Sequence, residues 1–200
     1  MAAPIDFYFD FSSPYGYLGA EKIEALAAKY GRAVDWHPVL LGVIFKETGG
    51  APLTTLPIKG DYSKRDFQRS ARFLGVPYRA PSKFPIASQA PARIVLWLKH
   101  RDPALAARVA KALYRAYFVD DVDISDPDRA AAIAAKEGAD AAAARSAVDD
   151  PAVKDELKAD VAQALARGVF GSPYVIVDGE PFWGVDRFEQ LERWLATGGF

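Results

Sequence analysis

The sequence predicts an α/β protein in which both ends of the chain build one sheet and a block of helices is inserted between them. Residues 5–41 read strand, helix, strand. A middle stretch follows in which alanine-rich segments begin at repeated Asp-Pro pairs. Residues 169–197 then return to two short strands and a last helix.

"IDFYFDF" (5–11) alternates and is rich in aromatic residues, so it enters a sheet. From Pro14 to Tyr30, Leu18, Ile23, Leu26 and Ala27 recur at helical spacing, and Gly31 ends the helix. "AVDWHPVLL" (33–41) is a second strand, which makes a β-α-β opening and the start of a parallel sheet. "KETGGAPLTTLPIKGDY" (46–62) is rich in Gly, Pro and Thr and predicts a long functional loop. "SKRD" (63–66) reads as a capping box opening a helix that carries Phe67 and Phe73. Asp102-Pro103, Asp126-Pro127 and Asp150-Pro151 each predict an N-cap followed by proline at the first helical position. Near the end, "YVIVD" and "EPFWG" are joined by Asp178-Gly179, a hairpin signal, and "DRFEQLERWLA" (186–196) is amphipathic. The expected division is a sheet domain of residues 1–62 and 168–200 interrupted by helical residues 63–167.

Composition removes several classes of function. The chain has 200 residues, half of them hydrophobic, and a net charge of −1, which suits one domain or one domain with a large insertion. Without a basic surplus, nucleic-acid binding is not expected. The apolar runs are short and "MAAPIDFYFD" lacks a basic start before a long apolar core, so neither a signal peptide nor a membrane span is expected, and a cytoplasmic protein is. There is no cysteine, which excludes disulfides, thiolate nucleophiles and sulfur-ligated metals. His37 and His100 are far apart and lack zinc-motif spacing; a strand position and a helix end suit them better, and no metal is expected. No G-x-S-x-G elbow supports a Ser-His-Asp triad.

Ser12 and Ser13 stand directly before Pro14, where the first helix opens. Ser13 differs from the three aspartate caps in being neutral, which leaves the unpaired N–H groups and partial positive charge of a helix start open to an outside anion. Serine is also an ordinary cap, so the residue alone does not decide. A second proline, Pro173 in "VFGSPY", precedes a strand behind Gly171 and Ser172 and suits a tight turn, cis or trans. Proline at the first helix and again before the third strand is the layout of the thioredoxin fold.

"FYFDFSSPYGYLG", "LPIKGDYSKRDFQRSARFLGVP", "GVFGSPYVIVDG" and "FWGVDRFEQLE" together resemble 2-hydroxychromene-2-carboxylate isomerases and kappa-class glutathione transferases, over residues 5–197 and in the same order. The resemblance implies a thioredoxin-like fold with an inserted all-helical domain, related to bacterial disulfide oxidoreductases. Those carry C-x-x-C where this chain has "SPYG" (13–16). It implies that the sulfur arrives as glutathione, a cofactor whose thiol Ser13 hydrogen-bonds and activates. It further implies that Ser172, before Pro173, pairs its backbone with the tripeptide, and that Asp186, with Trp183, Gly184 and Val185, receives the γ-glutamyl end. Lys59 is implied to meet a carboxylate of glutathione or substrate. From the residues alone, Asp186 could equally cap the last helix and Lys59 could be solvated. The chain departs from the family at Gly50 in "TGGAP" (48–52), where kappa-class proteins often have Asn. It departs again at Phe45, Leu53 and Phe84, apolar where the isomerases tend to be polar. An apolar pocket with Lys59 and Tyr62 as polar contacts still suits a small aromatic substrate. The family also implies a homodimer. Isomerase, conjugating transferase and non-catalytic thiol-peptide binding module are the three functions compatible with these residues.

Overall fold

A computed structural model describes residues 3–200. Strand β1 (Ile5–Phe9) lies at the centre, parallel to β2 (Val34–Pro38) and antiparallel to β3 (Tyr174–Val177). Strand β4 (Glu180–Trp183) pairs with β3, giving the order β2-β1-β3-β4. The Asp178-Gly179 turn has positive φ at both residues, 52° and 91°, as a two-residue hairpin of matching twist requires. Phe7 and Phe9 share one face with Trp36, their rings 5.0 and 5.4 Å from its indole, and both phenylalanines are wholly buried. Each contributes on the order of 2–3 kcal/mol of burial.

The expected first helix is two: α1 (Pro14–Ala20) and α2 (Ile23–Lys29). Close packing explains the two glycines of α1. Gly16 and Gly19 weaken α1 by roughly 1 kcal/mol each relative to alanine, yet neither position has room for a side chain. A Cβ at Gly16 would sit 2.5 Å from the Ser172 hydroxyl, and one at Gly19 would sit 3.0 Å from the Pro173 ring.

The expected loop at 46–62 is mostly helical. Helix α3 (Leu41–Thr48) reaches into it, a 3-10 turn spans Leu53–Thr55, and α4 (Lys59–Leu74) begins inside it. "SKRD" is therefore not a capping box. Ser63 lies in the second turn of α4 and donates to the Gly60 carbonyl at 2.8 Å, so a boundary after residue 62 falls within that helix. The cap of α3 is invisible locally because it comes from the residue that follows β1: the buried Asp10 carboxylate accepts from Leu41 N at 2.6 Å.

The remaining helices are α5 (Gln89–Lys99), α6 (Pro103–Phe118), α7 (Pro127–Lys136), α8 (Ala141–Asp149), α9 (Pro151–Ala166) and α10 (Phe188–Thr197). Asp102, Asp126 and Asp150 cap α6, α7 and α9 as expected, accepting from Leu105 N at 2.9 Å, Asp128 N at 2.9 Å and Ala152 N at 2.8 Å. Helices α1 and α6 cover the Phe7/Phe9 face of the sheet, whereas Leu96 of α5 and Leu157 and Val161 of α9 cover Tyr8, Tyr174 and Ile176 on the other.

His37 lies on β2 and His100 at the end of α5. His37 Nε2 is 3.0 Å from Asp6 and 3.1 Å from Asp35, whose other charges are met by Arg167 at 2.7 Å and Lys99 at 2.6 Å. Among the described residues this is the one trio with metal-competent atoms within 4.8 Å, and both carboxylates are already paired with cations. Burial alone would raise the Asp35 carboxyl, but hydrogen bonds from His37 and Lys99 outweigh it and hold it at about 2. A depressed carboxyl contributes stability above its unfolded pKa and loses it as pH falls through the folded value. Urea midpoints should therefore drop between about pH 4 and pH 2. Asp35→Asn should start below the wild type at neutral pH and converge with it near the acid end; parallel curves would refute this role.

Candidate active site

The end of β1 and the start of β3 meet at a turn built almost entirely from polar contacts. Ser13 is extended (φ −97°, ψ 114°) and caps α1, its Oγ accepting from Gly16 N at 3.0 Å. Its own proton goes across the sheet: Ser13 Oγ donates to the Ser172 carbonyl at 2.8 Å. The Ser172–Pro173 bond is cis. Ser172 Oγ accepts from Asp10 N at 3.0 Å, and Tyr114 Oη donates to the Asp10 carbonyl at 2.8 Å. Burial, together with the charge at Asp10, pushes the Tyr114 phenol far up, while a hydrogen bond with Ser172 opposes it; Tyr114 is a neutral donor.

Asp10 anchors this turn and was not singled out from the sequence. Burial raises its carboxyl, opposed by hydrogen bonds from Leu41 N, Ser12 N and the Ser88 hydroxyl. Those donors sit at 2.6, 2.6 and 3.1 Å, so one carboxylate ties the end of β1 to the starts of α3 and α5. The signal was present in "FDFSSPY", an aspartate at a strand end two residues before a possible Asx turn. Ser12 is used differently from Ser13: its Oγ accepts from Ile86 N at 3.2 Å, next to Phe84, whose bond to Pro85 is also cis.

Two further walls flank Ser13. On one side, Gly184 N donates to the Pro173 carbonyl at 3.0 Å. Gly184 has φ 99°, and a Cβ there would overlap the Asp186 carboxylate at 2.3 Å, so this loop needs glycine to present Asp186. Asp186 is exposed and Val185 beneath it is buried. Trp183, 55% exposed, lies edge-on to Phe170 at 4.8 Å and closes over Gly171. On the other side is α4. Tyr15, half-buried, donates to Asp66 and packs against Phe67 at 4.9 Å. Arg69 bonds both Asp66 and the Tyr62 hydroxyl. Burial raises the Tyr15 phenol, and the hydrogen bond to Asp66 and the charges of Asp66, Tyr62 and Asp186 raise it further. Tyr15 thus joins α1 to the α4 wall.

Hydrogen bonds join Ser13 to Ser172 and Gly184 to Pro173, and the Asp66 carboxylate links Tyr15 to Arg69 and so to the Tyr62 hydroxyl. Lys59 is the exposed first residue of α4. Phe45 and Phe84 are half-buried and Leu53 is 44% exposed; among the described residues none of the three is hydrogen-bonded to the Ser13 turn. Phe45 packs on Gly50, where a Cβ would lie 2.8 Å from its ring. Surface grooves of about 370 Å³ by Trp183 and Trp194 and about 320 Å³ by Tyr17 and Arg115 do not include Ser13.

The fold and this turn define a thioredoxin-type protein without its cysteines. A profile described as "DSBA-like thioredoxin domain" matches residues 4–196. A 2-hydroxychromene-2-carboxylate isomerase from Sphingobium xenophagum is 32% identical over 198 residues, 98% of this chain and 99% of its own. Glutathione S-transferase kappa 1 of Homo sapiens is 27% identical over 209 residues, covering 96% and 92% of the two chains. A solved structure of 2-hydroxychromene-2-carboxylate isomerase superposes with a TM-score of 0.86 at 27% identity, over 96% of this chain and 94% of its own. The chain belongs to the DsbA-like thioredoxin family, in the group that holds these isomerases and the kappa-class transferases.

Gly16→Ala should cost about 1–3 kcal/mol in urea unfolding despite alanine's better helix propensity, because its methyl overlaps the Ser172 and Tyr114 hydroxyls. A stabilised variant would mean that the two hydroxyls are not held against α1.

Proposed function

We propose that the chain is a glutathione-dependent isomerase acting on an aromatic substrate of the 2-hydroxychromene-2-carboxylate type. The carrying observation is the Ser13 hydroxyl beside the cis Ser172–Pro173 bond in a chain without cysteine. The fold's exchange chemistry needs a thiolate, so here the sulfur must enter with a ligand. In the proposed cycle the hemiketal opens, its ring C–O bond breaking to give a phenol and an unsaturated α-keto acid. The glutathione thiolate then adds to the carbon β to the ketone and the displaced π pair moves to the ketone oxygen as an enolate. The resulting single bond rotates, and the pair returns as the carbon–sulfur bond breaks. Glutathione is regenerated and no oxidant is consumed.

The energetics support the role given to Ser13. A thiol of pKa about 8.5 is only a few per cent ionised at neutral pH. Lowering it by ~2 units requires roughly 2.7 kcal/mol of preferential thiolate stabilisation. Helix α1 has only seven residues, so its end supplies a modest share, about 0.3–1 kcal/mol. A hydroxyl hydrogen bond to the charged sulfur contributes roughly 1.5–3 kcal/mol. Ser13 therefore acts as a donor to sulfur and need not attack the substrate. In this reading the backbone at Ser172 and Pro173 pairs with the tripeptide as an added strand would. Asp186 takes the γ-glutamyl ammonium on the loop formed by Trp183, Gly184 and Val185, and Lys59 meets a carboxylate. Phe45, Leu53 and Phe84, with Tyr62, receive the aromatic ring.

The similarity to kappa-class glutathione transferase at 27% identity favours a second reading, in which the conjugate is released. Incubating a chromene carboxylate with and without glutathione separates the outcomes: an isomer with glutathione recovered, a stable thioether, or, for a mere binding module, no consumption of the electrophile. Ser13→Ala should raise the bound thiol's pKa by about one to two units and slow turnover by about tenfold to a hundredfold, with glutathione affinity changed less. An unaltered ultraviolet titration of the bound thiolate refutes the role of Ser13.

A further inference from the structure

The Ser13 hydroxyl has one proton, and that proton is already committed to the Ser172 carbonyl. Its acceptor side is committed as well, to Gly16 N. A hydroxyl with a single proton cannot donate to a thiolate and keep the carbonyl. Among the described residues no other donor reaches the Ser172 carbonyl, and Ser172 is buried. If the hydroxyl turned to sulfur alone, a buried acceptor would be stranded, and a stranded acceptor is disfavoured by about tenfold to a hundredfold in population. Activation of the thiol is therefore opposed by the resting hydrogen bond unless the incoming molecule supplies a donor of its own to that carbonyl.

We infer that the Ser13–Ser172 hydrogen bond is a latch released by a ligand N–H: the site ionises thiols that carry a neighbouring backbone amide and leaves simple thiols protonated. This inference rests on the glutathione reading above. The amide N–H of the cysteinyl residue takes over the Ser172 carbonyl, the Ser13 proton turns to the sulfur, and the thiol proton passes to solvent. One resting hydrogen bond is exchanged for two. Neighbouring geometry keeps this the easiest movement. Ser172 Oγ is held by Asp10 N at 3.0 Å, and the turn behind it is held by Tyr114 at 2.8 Å, so the carbonyl stays in place while the serine hydroxyl rotates about one bond. Recognition of the peptide and activation of its sulfur are thereby one event.

The test compares glutathione with the depsipeptide in which an ester oxygen replaces the cysteinyl N–H and nothing else changes. Ultraviolet titration of the bound thiolate on the wild-type protein should give a midpoint for the depsipeptide about one unit or more above that for glutathione, beyond the difference between the free thiols. In Ser13→Ala that extra gap should vanish, because the carbonyl and the sulfur no longer compete for one proton. Equal midpoints on the wild type, or a gap that persists in Ser13→Ala, would overturn the latch while leaving the glutathione reading standing. A bound glutathione thiol that titrates like the free one would overturn both.

Discussion

Antiparallel pairing of β1 with β3, Phe7 opposite Val175, is the contact on which the rest of the molecule depends. It brings residues at opposite ends of the chain into one sheet and delivers the turn after β1 to the turn before β3. Closing so large a loop is entropically unfavourable by only a logarithmic measure of its length. The wholly buried Phe7, Phe9 and Val175 and the paired backbone supply the opposing stabilisation. Once the two strands lie side by side, Ser13 and Ser172 have little choice of neighbour.

The polar turn then depends on space withheld from side chains. Gly16 and Gly19 forgo helix propensity so that two hydroxyls and the Pro173 ring can come up against α1. Asp10 carries the opposite burden: a carboxylate in the interior, satisfied by donors from three segments. A buried carboxyl group held by donors from three segments keeps its surroundings in one arrangement, and removing one donor leaves part of its hydrogen bonding unmet in the interior. Local helix propensity yields to packing in the first case and local turn preference is reinforced by it in the second.

Strand and hairpin signals, the Asp-Pro caps and the sheet built from both ends were legible because each is written in adjacent residues. What escaped was non-local. The start of α3 could not be read from its own residues, since its cap is Asp10, just beyond β1. The break between α1 and α2 falls at Glu21–Lys22, where neither residue is a helix breaker. "SKRD" matched a capping pattern yet sits inside α4, whose first turn packs on the 3-10 turn so closely that a Cβ at Gly60 would lie 2.7 Å from the Thr54 carbonyl oxygen. Ser13, Ser172 and the Gly184–Asp186 loop were legible through resemblance of motifs more than through spacing. Tyr15, Asp66 and Tyr114, which hold those groups in register, carry no local mark, being an ordinary aromatic and an ordinary acid until the fold brings them together.

The contact between Tyr15 and Asp66 is, among the described residues, the one side-chain hydrogen bond from α4 to α1. Everything that α4 presents near the site, Lys59 and Tyr62 included, is joined to the serine turn through that bond and the apolar contact with Phe67 beside it. The molecule is in this respect modular. The serine turn is locked into the sheet, while Lys59 and Tyr62 ride on a separate segment. Substitutions along α4 and the chain just before it can therefore reshape that face while the contact between Ser13 and Ser172 stays as it is.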